Sequence, residues 1–319
     1  MRENKPRLGW IGSGRMGLPM AKRLLDAGHD LAVWNRTASK AEPLKTGGAT
    51  VVARPIDLAS CDVVFTMVST GDVLERIYFG DGGIAAAGNG VLPRIFVDCS
   101  SIGVDKSADL RARLAKAGAG YICAPFSGNG KCIKAKKASA VASGPRDLFD
   151  EVEPYLAAMA GNGVSYVGEG DLARVCKIAH NVLLGVLIQN LCEITVLAQK
   201  AGVPRHAFLD FINKSVLGSV FSRYKTPALV NLDWTTTFTP TLLRKDLDLG
   251  LAAARALDVP MPVASATREA LQAHFGAASL KANPQAYLEG DFSALLETVA
   301  LGAGIKLESE NLAIKSGLE

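Results

Sequence analysis

Short apolar runs alternate with stretches of helical spacing along the first half of the chain. The runs have the length and composition of buried strands, and the stretches between them repeat apolar residues every three to four positions. This alternation predicts a mainly parallel, doubly wound sheet with right-handed crossovers, which is an α/β fold class. The strand-like runs are LGWIG (8–12), DLAVWNRT (30–37), VVAR (51–54), CDVVFTMV (61–68), RIFVDCS (94–100) and YICAPF (121–126).

The second half of the chain has a different pattern. Two last strand-like runs, at 138–144 and 164–168, enclose a helical pattern and close the first domain. Beyond residue 199 helical spacings dominate, and prolines fall between them or at their starts, as in a compact helical bundle. Residues from 303 onward are expected to fray. The predicted domains are a sheet domain over 6–168, an all-α domain over 169–310 and a tail over 311–319.

The longest apolar stretch, residues 169–199, stands between these halves. Its longest run without a polar side chain, 182–188, is too short to span a bilayer, so the stretch is predicted to be the central helix of a soluble domain without a membrane partner. Lys177 and Asn181 lie one turn apart on that helix, with His180 beside them. Such a lysine either extends its charge to water or sits in a pocket where desolvation lowers its pKa and suits it to proton transfer.

Composition and charge narrow the possible functions. An apolar fraction of 49% and a charged fraction of 21% exclude a wholly disordered or fibrous chain. The formal net charge of +4 is too small and too evenly spread to favour nucleic acid. The six cysteines lack the spacing of a zinc site, so no metal is predicted. Thiols in apolar runs, and an N-terminus without an apolar leader, favour a cytoplasmic location.

A glycine-rich turn between the first strand and the first helix is a candidate ligand site. In the pattern G-x-G-x-x-G the first glycine permits the tight turn, the second lets a pyrophosphate approach the backbone, and the third allows close packing of helix on strand. The phosphates then lie at the helix N-terminus, so this pattern predicts dinucleotide binding. The predicted contacts in this turn are Gly12, Ser13, Gly14, Arg15, Met16 and Gly17.

The end of the second strand-like run indicates which dinucleotide is bound. An acidic residue for the cofactor ribose is expected there, but the chain has Asn35, Arg36 and Thr37. A carboxylate would repel a 2′-phosphate, whereas a guanidinium pairs with it and stacks on adenine. The sequence therefore favours NADP(H), with NAD(H) as the alternative. A plain surface arginine at a strand end is the remaining interpretation of Arg36.

Other strand ends provide further candidates, because ligands of such sheets bind where the strands end. The end of the fourth run is expected to face the cofactor ribose, and the segment after the sixth run is expected to face the substrate. The candidates are Met67, Val68, Ser69 and Ser100 for the cofactor, and Ser127 and Gly128 for the substrate.

Four motifs occur in order: GWIGSGRMGLPMAKRLL (9–25), APFSGNG (124–130), GEGDLARVCKIAHN (168–181) and KDLDLGLAAA (245–254). Over about residues 8–300 the chain thereby resembles the β-hydroxyacid dehydrogenase family, which includes 3-hydroxyisobutyrate, tartronate semialdehyde and glyoxylate/succinic semialdehyde reductases. The resemblance implies a Rossmann domain, an all-helical domain, an active site in the cleft between them, and dimers or tetramers. The WNRT segment looks like that of NADP-using members.

The resemblance also implies roles for single residues. The third motif would supply the catalytic acid/base and its companion asparagine, the second would bind the substrate carboxylate, and the fourth would flank cofactor and substrate. The residues at these positions are Lys177 and Asn181, Ser127 and Gly128, and Lys245 and Asp246.

The chain departs from the family pattern beside the second motif. Asn129 replaces a glycine, and Cys132 and Lys136 replace small residues. A side chain at Asn129 is expected to narrow or re-polarise the carboxylate-binding segment, so Asn129 is a candidate substrate contact and the familiar 3-hydroxy acids are not assured substrates. The basic run KCIKAKK (131–137) either attracts an acidic substrate or forms a solvated charge cluster at a strand edge.

Three other side chains have two interpretations each. His180 could compete for proton transfer, but it is rotated by about 100° from Asn181 around the helix, which favours a core or domain-interface histidine. Trp234 and Phe238 either wall the substrate pocket or simply pack.

These observations support one leading hypothesis and two alternatives. The first is an NADP-dependent oxidoreductase that interconverts a small hydroxy acid and the corresponding semialdehyde or keto acid, with Lys177 moving the proton. The second is an imine reductase of the same architecture, which typically lacks this lysine. The third is a catalytically silent dinucleotide-binding module used in oligomerisation or sensing. The expected partners are a small carboxylate-bearing substrate and further copies of the chain, as a homodimer or homotetramer.

Overall fold

The computed structural model describes residues 6–86 and 90–319. Among these residues, six parallel strands form one sheet in the order β3-β2-β1-β4-β5-β6, which confirms the doubly wound α/β prediction. The order reverses between β1 and β4, and ligands of such sheets bind at this switch point. The strands are β1 (Leu8–Ile11), β2 (Leu31–Trp34), β3 (Thr50–Val51), β4 (Val63–Thr66), β5 (Ile95–Asp98) and β6 (Gly120–Cys123).

The central strands of this sheet are buried along their whole length. Every residue of β1, β4 and β5 is buried, as expected of parallel strands covered on both faces. The apolar runs that looked like strands in the sequence therefore form the core of the first half. The helices between the strands are α1 (Gly17–Asp26), α2 (Glu42–Thr46), α3 (Gly71–Phe79) and α4 (Val104–Lys116).

A small second sheet follows the first. The run predicted over 121–126 ends at β6, and after Pro125, which has no N–H to donate, the chain enters β7 of the other sheet. Strand β7 runs antiparallel to β8, and β8 runs parallel to β9. The elements are β7 (Phe126–Ser127), α5 (Gly130–Lys134), β8 (Ala138–Ala142), α6 (Arg146–Ala160) and β9 (Gly161–Tyr166).

From residue 172 to residue 302 the described chain is mainly helical, as predicted. The chain divides into two compact units, Met1–Lys177 and Ile178–Glu319, and the division falls within the long helix α7. The helices are α7 (Leu172–Lys200), α8 (Arg205–Lys214), α9 (Val220–Asn231), α10 (Pro240–Ala256), α11 (Pro262–Ala278), α12 (Pro284–Glu289) and α13 (Leu295–Gly302).

Helix α7 packs closely against α10 in the second unit. A Cβ atom added at Gly250 would lie 2.1 Å from Val182 Cγ2, and one added at Gly185 would lie 3.0 Å from Leu247 Cδ2. The missing side chains therefore allow the two helices to approach. By length and composition α7 could cross a membrane, but half of its most apolar window is buried within the protein, as in the core helix of a globular domain.

The C-terminal segment is held against α8 and α9, so the expectation that it frays was wrong. The buried Arg205 donates to the carbonyl oxygens of Val230 at 2.7 Å and Glu308. Asn231 and Leu312 exchange two hydrogen bonds of 2.8 and 3.0 Å. An arginine with several backbone acceptors far away in sequence cannot be recognised as an anchor from local pattern alone.

Candidate active site

The glycine-rich turn has the geometry that its spacing predicts. Gly12 has φ of 98°, and a Cβ there would lie 2.2 Å from the Met67 carbonyl oxygen. A Cβ on Gly17 would lie 1.8 Å from the Gly12 carbonyl oxygen, whereas one on Gly14 would meet no described heavy atom within 4 Å. The outer glycines are thus required by packing, and the middle glycine borders open space that a phosphate group could fill.

Polar groups of this turn are oriented by the end of β2. The Ser13 backbone N–H donates to Asn35 Oδ1 at 2.7 Å, and Asn35 Nδ2 donates to the Thr37 carbonyl oxygen at 2.7 Å. The Ser13 hydroxyl is buried and has no hydrogen-bond partner within the described residues. Because buried hydroxyls normally have a partner, this oxygen fits a turn that receives a polar ligand. Arg36, next to Asn35, is exposed.

The ends of β4 and β5 lie beside the glycine turn. Ser100 Oγ accepts from the Val68 N–H at 2.9 Å, and the Ser100 N–H donates to Asp98 Oδ1 at 3.0 Å. The Met67 carbonyl oxygen faces Gly12, as its distance from the added Cβ shows. The structure thus brings together the predicted cofactor segments at Gly12–Gly17, Met67–Ser69 and Ser100.

The predicted substrate segment also contacts the glycine turn. Gly128 has φ of 112°, and a Cβ there would lie 2.9 Å from Cys132 Cβ. A Cβ on Gly130 would lie 2.5 Å from the Arg15 carbonyl oxygen. Ser127 is half-buried at the end of β7. The segment after β7 therefore lies against the cofactor turn within the first unit.

Asn129 is used by the backbone of α5. Its Oδ1 accepts from the Lys131 and Cys132 N–H groups at 2.9 and 3.1 Å, which is the hydrogen-bonding of a helix N-cap. Its Nδ2 is buried and has no partner within the described residues. The expected effect of Asn129 on substrate binding stays a prediction, but its side-chain oxygen Oδ1 already accepts from two backbone N–H groups.

The other two departures from the family pattern have clear local settings. Cys132 is buried beneath Gly128, whereas Lys136 is exposed and has φ of 57°. A left-handed conformation is strained for a residue with a side chain, which fits the small residue of the family pattern at this position. Like Lys136, the other lysines of the basic run point to solvent: Lys131, Lys134 and Lys137.

The implied catalytic residues occupy one stretch of α7. Lys177 is half-buried, and Asn181, one turn later, is buried. Asn181 Nδ2 donates to Asp246 Oδ2 at 2.6 Å, and Lys245 Nζ lies 3.1 Å from Asp246 Oδ1. The close approach of α7 and α10 allows this contact. Four residues of the third and fourth motifs thus belong to two packed helices, although 65 residues separate Asn181 from Asp246.

His180 belongs to the same group of interacting polar side chains. Its Nδ1 lies 3.0 Å from Asn181 Oδ1, and its side chain is exposed. It is therefore not a core histidine, and the alternative of a domain-interface histidine stays a prediction. Asn181 turns its amide oxygen toward the His180 ring, while its nitrogen donates to Asp246. This arrangement fixes the orientation of the amide from both sides.

Trp234 and Phe238 pack against the core of the second unit. Trp234 Nε1 donates to Glu297 Oε1 at 2.8 Å, and the Phe238 ring meets the Phe292 ring edge-to-face at 5.5 Å between centroids. These contacts support the plain packing interpretation of both residues.

Family models match both parts of the chain. Residues 7–168 match the NAD binding domain of 6-phosphogluconate dehydrogenase. Residues 171–307 match the model described as NAD-binding of NADP-dependent 3-hydroxyisobutyrate dehydrogenase. The chain belongs to the β-hydroxyacid dehydrogenase family. The resemblance of the four motifs is thereby confirmed.

Individual relatives agree with this family. The chloroplastic glyoxylate/succinic semialdehyde reductase 2 of Arabidopsis thaliana is 27% identical over 296 residues, covering 92% of this chain and 79% of the relative. A structure of Mycobacterium tuberculosis 3-hydroxyisobutyrate dehydrogenase with L-serine has a TM-score of 0.76 at 27% identity, covering 92% of this chain and 99% of that chain. The human cytokine-like nuclear factor N-PAC is 29% identical over 265 residues, which are 82% of this chain and 47% of N-PAC, so the chain spans about half of that relative's length.

These similarities make the chain an oxidoreductase of the NAD(P)-dependent hydroxyacid dehydrogenase type. A β-hydroxyacid dehydrogenase needs a nicotinamide dinucleotide, and the residues of the first unit fit one. Three observations support this fit: the open space at Gly14, the Ser13 hydroxyl that has no partner among the described residues, and the exposed Arg36.

Sequence reasoning missed one residue of the site region. Arg174, three positions before Lys177, is fully buried and pairs with the equally buried Asp98 at 2.5 Å. A charged residue within the most apolar stretch of the chain was the available signal. Its partner could not be found from local pattern because it lies 76 residues earlier.

Proposed function

We propose that this chain is an NADP-preferring enzyme that interconverts a small hydroxy acid and the corresponding semialdehyde or keto acid, with Lys177 as general acid/base. The observation that carries the proposal is the half-buried Lys177 placed one helical turn before Asn181, whose amide is anchored on Asp246. A bound nicotinamide dinucleotide supplies or accepts the hydride. The protein then has to orient the substrate and move one proton.

Lys177 moves that proton in the proposed reaction. As an ammonium it donates a proton to the carbonyl oxygen during reduction, and as an amine it accepts the hydroxyl proton during oxidation. Asn181 retains a second N–H on Nδ2 besides the one given to Asp246, so it can donate to a substrate oxygen. The Asn181 amide is held in place by its hydrogen bond to the Asp246 carboxylate. It therefore keeps its orientation without placing a negative charge at position 181.

The carboxylate of the substrate is assigned to the segment at Ser127 and Gly128. The hydroxyl of Ser127 and the backbone around Gly128 provide neutral donors, and Gly128 leaves the backbone uncovered by a side chain. Neutral donors suit a carboxylate that must also leave as product. The contact of this segment with the cofactor turn supports a common site for both ligands.

The preference for NADP(H) rests on the end of β2. Asn35 there is committed to Ser13 and Thr37, and the neighbouring Arg36 is exposed and cationic. An exposed guanidinium can bind a 2′-phosphate in bidentate fashion, and the absence of an acidic residue at 35–37 removes the usual partner of an unphosphorylated ribose. NAD(H) remains the second cofactor to be measured.

We also propose a homo-oligomer in a reducing, cytoplasmic compartment. The solvent-facing side of α7 carries Leu183, Leu187 and Leu197, which are 55%, 45% and 69% exposed. A row of leucines at helical spacing suits the same face of a second copy. All six cysteines are free thiols, which fits such a compartment.

A substrate screen tests the proposed activity. Purified protein is mixed with NADPH, or with NADH, and with short semialdehydes and 2- or 3-keto acids, and cofactor oxidation is followed by absorbance. The proposal expects turnover of at least one carboxylate-bearing carbonyl compound, faster with NADPH. Reduction of cyclic imines alone would show an imine reductase, and tight NADPH binding with no turnover would show a silent binding module; both outcomes contradict the proposal.

A further inference from the structure

A fully buried ion pair joins the first turn of α7 to the sheet. The guanidinium of Arg174 donates from Nη2 to Asp98 Oδ2 at 2.5 Å and to the Tyr121 hydroxyl at 3.0 Å. Its Nε donates to Ser107 Oγ at 3.1 Å, and its Nη1 donates to the Ser100 carbonyl oxygen. All three guanidinium nitrogens therefore have a partner, which fixes the plane of the group.

The carboxylate of this pair holds the strand ends that border the proposed nucleotide site. Asp98 Oδ1 accepts from Thr66 Oγ1 at 2.9 Å, at the end of β4, and from the Ser100 N–H at 3.0 Å, just after β5. Ser100 in turn accepts from the Val68 N–H. Arg174 thus reaches, through Asp98 and Ser100, the segment Met67–Ser69 that faces the glycine turn.

The beginning of α7 is fixed by further bonds within the first unit. Ser143 Oγ accepts from the Ala173 N–H at 3.0 Å and donates to the Gly170 carbonyl oxygen at 2.9 Å. The Asp171 side chain accepts from Arg111 at 2.9 Å. The first turn of α7 is therefore not a fraying helix end. Lys177 follows Arg174 by three residues and lies on nearly the same side of the helix.

Stability alone is a poor explanation for this pair. Burial by itself would lower the pKa of Arg174, but the charge of Asp98 outweighs burial and holds that pKa well above its usual value, so the guanidinium keeps its charge. Taking both charges out of water offsets most of their attraction, and apolar side chains of similar volume generally stabilise as well or better. Apolar side chains, however, cannot supply hydrogen bonds that fix the orientation of the groups they join.

We propose that Arg174 is a positioning residue, which orients the first turn of α7, and with it Lys177, against the ends of β4 and β5. The inference rests on the proposed function. Arg174 itself touches neither ligand in this assignment; it acts through Asp98 on the cofactor side and through the helix on Lys177. A misplacement of a reacting group by about 1 Å can lower the rate of its step by about a hundredfold.

The test compares Arg174→Gln, Asp98→Asn and the double variant. Each single change leaves one buried charge without its partner, so the midpoint of thermal unfolding should fall. The double variant removes both charges and should recover most of that midpoint. A positioning role predicts that kcat of the double variant nevertheless stays about tenfold or more below wild type, with the Kd of NADPH within about threefold.

Two further measurements separate positioning from loss of structure. Amide hydrogen exchange of the protein without ligands should accelerate in residues 170–178 of the double variant and remain unchanged in the rest of α7. The primary deuterium isotope effect with NADPH deuterated at the transferred position should increase, because hydride transfer becomes slower. Arg205→Gln is the matched control, since it removes another buried guanidinium that lies at the C-terminal segment; it should lower the unfolding midpoint but not kcat.

Clear results would overturn the inference. They are a stable double variant with kcat within about twofold of wild type, an unchanged exchange rate at 170–178, or an equal loss of kcat in Arg205→Gln. Lys177→Ala in the same assay separates this failure from failure of the proposed function. If Lys177→Ala has normal turnover, the proposed function is wrong. If Lys177→Ala loses turnover but the double variant keeps it, only the inference about Arg174 is wrong.

Discussion

At the scale of single residues, the proposed preference for NADP(H) rests on Arg36. Replacing Arg36 with Ala removes the cation proposed to pair with a 2′-phosphate and should weaken NADPH binding by about tenfold to a hundredfold, because a charge-assisted hydrogen bond contributes about 1.5–3 kcal/mol. NADH binding should change by less than about threefold. Kd values for both cofactors, measured by fluorescence titration, give the comparison.

The control for this change is Arg146→Ala. Arg146 is another exposed arginine, paired with Asp150 on α6, and its replacement should leave both Kd values unchanged. Equal loss of NADPH and NADH affinity in Arg36→Ala would mean that Arg36 does not read the 2′-position.

His274 makes stability depend on pH. It is fully buried, its Nδ1 lies 2.8 Å from Thr298 Oγ1, and burial lowers its pKa from 6.5 to about 4. The unfolded chain takes up a proton near pH 6.5 and the folded chain only near pH 4, so acid favours unfolding. This histidine should therefore remove about 3 kcal/mol of stability as the pH falls through that window.

Urea unfolding of wild type and His274→Gln between pH 8 and pH 4 measures this effect. The two free energies of unfolding should run parallel above pH 7, with the variant lower because of altered packing, and should converge below pH 6.5. Curves that stay parallel down to pH 4.5 would show that His274 is protonated in the folded state.

At the scale of elements, the sequence predicted most strands and helices but not their junctions. The apolar runs at 8–12, 61–68 and 94–100 became β1, β4 and β5 because buried parallel strands have a strong pattern. The run at 121–126 divides between two sheets, and β9 begins at Gly161 rather than at 164. Such boundaries depend on partners elsewhere in the chain, so local pattern does not determine them.

The candidate site also has parts that the local sequence predicted and parts that depend on contacts elsewhere in the chain. The glycine turn could be predicted because each of its glycines has a role within the turn itself. The contact of Asn181 with Asp246 could not, because it depends on how α7 packs against α10. Asn129 is a residue whose role in the fold the local sequence did not predict. From its position it was interpreted as a ligand contact, and the structure shows that its side-chain oxygen caps the five-residue helix α5 by accepting from the Lys131 and Cys132 N–H groups.

Gly250 tests the packing of α7 against α10. A methyl group there would lie 2.1 Å from Val182 Cγ2, so Gly250→Ala should push the helices apart and lower the free energy of unfolding by about 1–3 kcal/mol. Because Asn181 meets Asp246 across the same helices, kcat should also fall. Unfolding in urea and turnover of the screened substrate measure the two effects.

Gly276→Ala is the matched control on α11. A Cβ there meets no described heavy atom within 4 Å, so this change should raise stability by about 0.5–1 kcal/mol through helix propensity and leave kcat unchanged. If Gly250→Ala were equally stabilising, the close approach of α7 and α10 would be disproved.

At the scale of the whole molecule, the exposed leucines of α7 are the proposed surface between copies. The double change Leu183→Glu and Leu187→Glu puts two charges on that face and should shift the protein from dimer or tetramer to monomer, because an unpaired charge is costly in an apolar interface. Sedimentation velocity at micromolar concentration measures the species present.

Leu257→Glu controls for the loss of any exposed leucine. Leu257 is 68% exposed at the end of α10, and its replacement should leave the oligomer intact. A wild-type protein that sediments as a monomer, or a double variant that remains assembled, would contradict this proposed surface.

Proton transfer by Lys177 is the central claim, and the turnover of Lys177→Ala tests it most directly. With the substrate found in the screen, kcat should fall by about 10²-fold or more while the Kd of NADPH stays unchanged, because general acid–base catalysis is lost and the cofactor residues are retained. Lys200→Ala, at the other end of the same helix, should keep wild-type kcat. A Lys177→Ala enzyme with wild-type kcat would contradict the account.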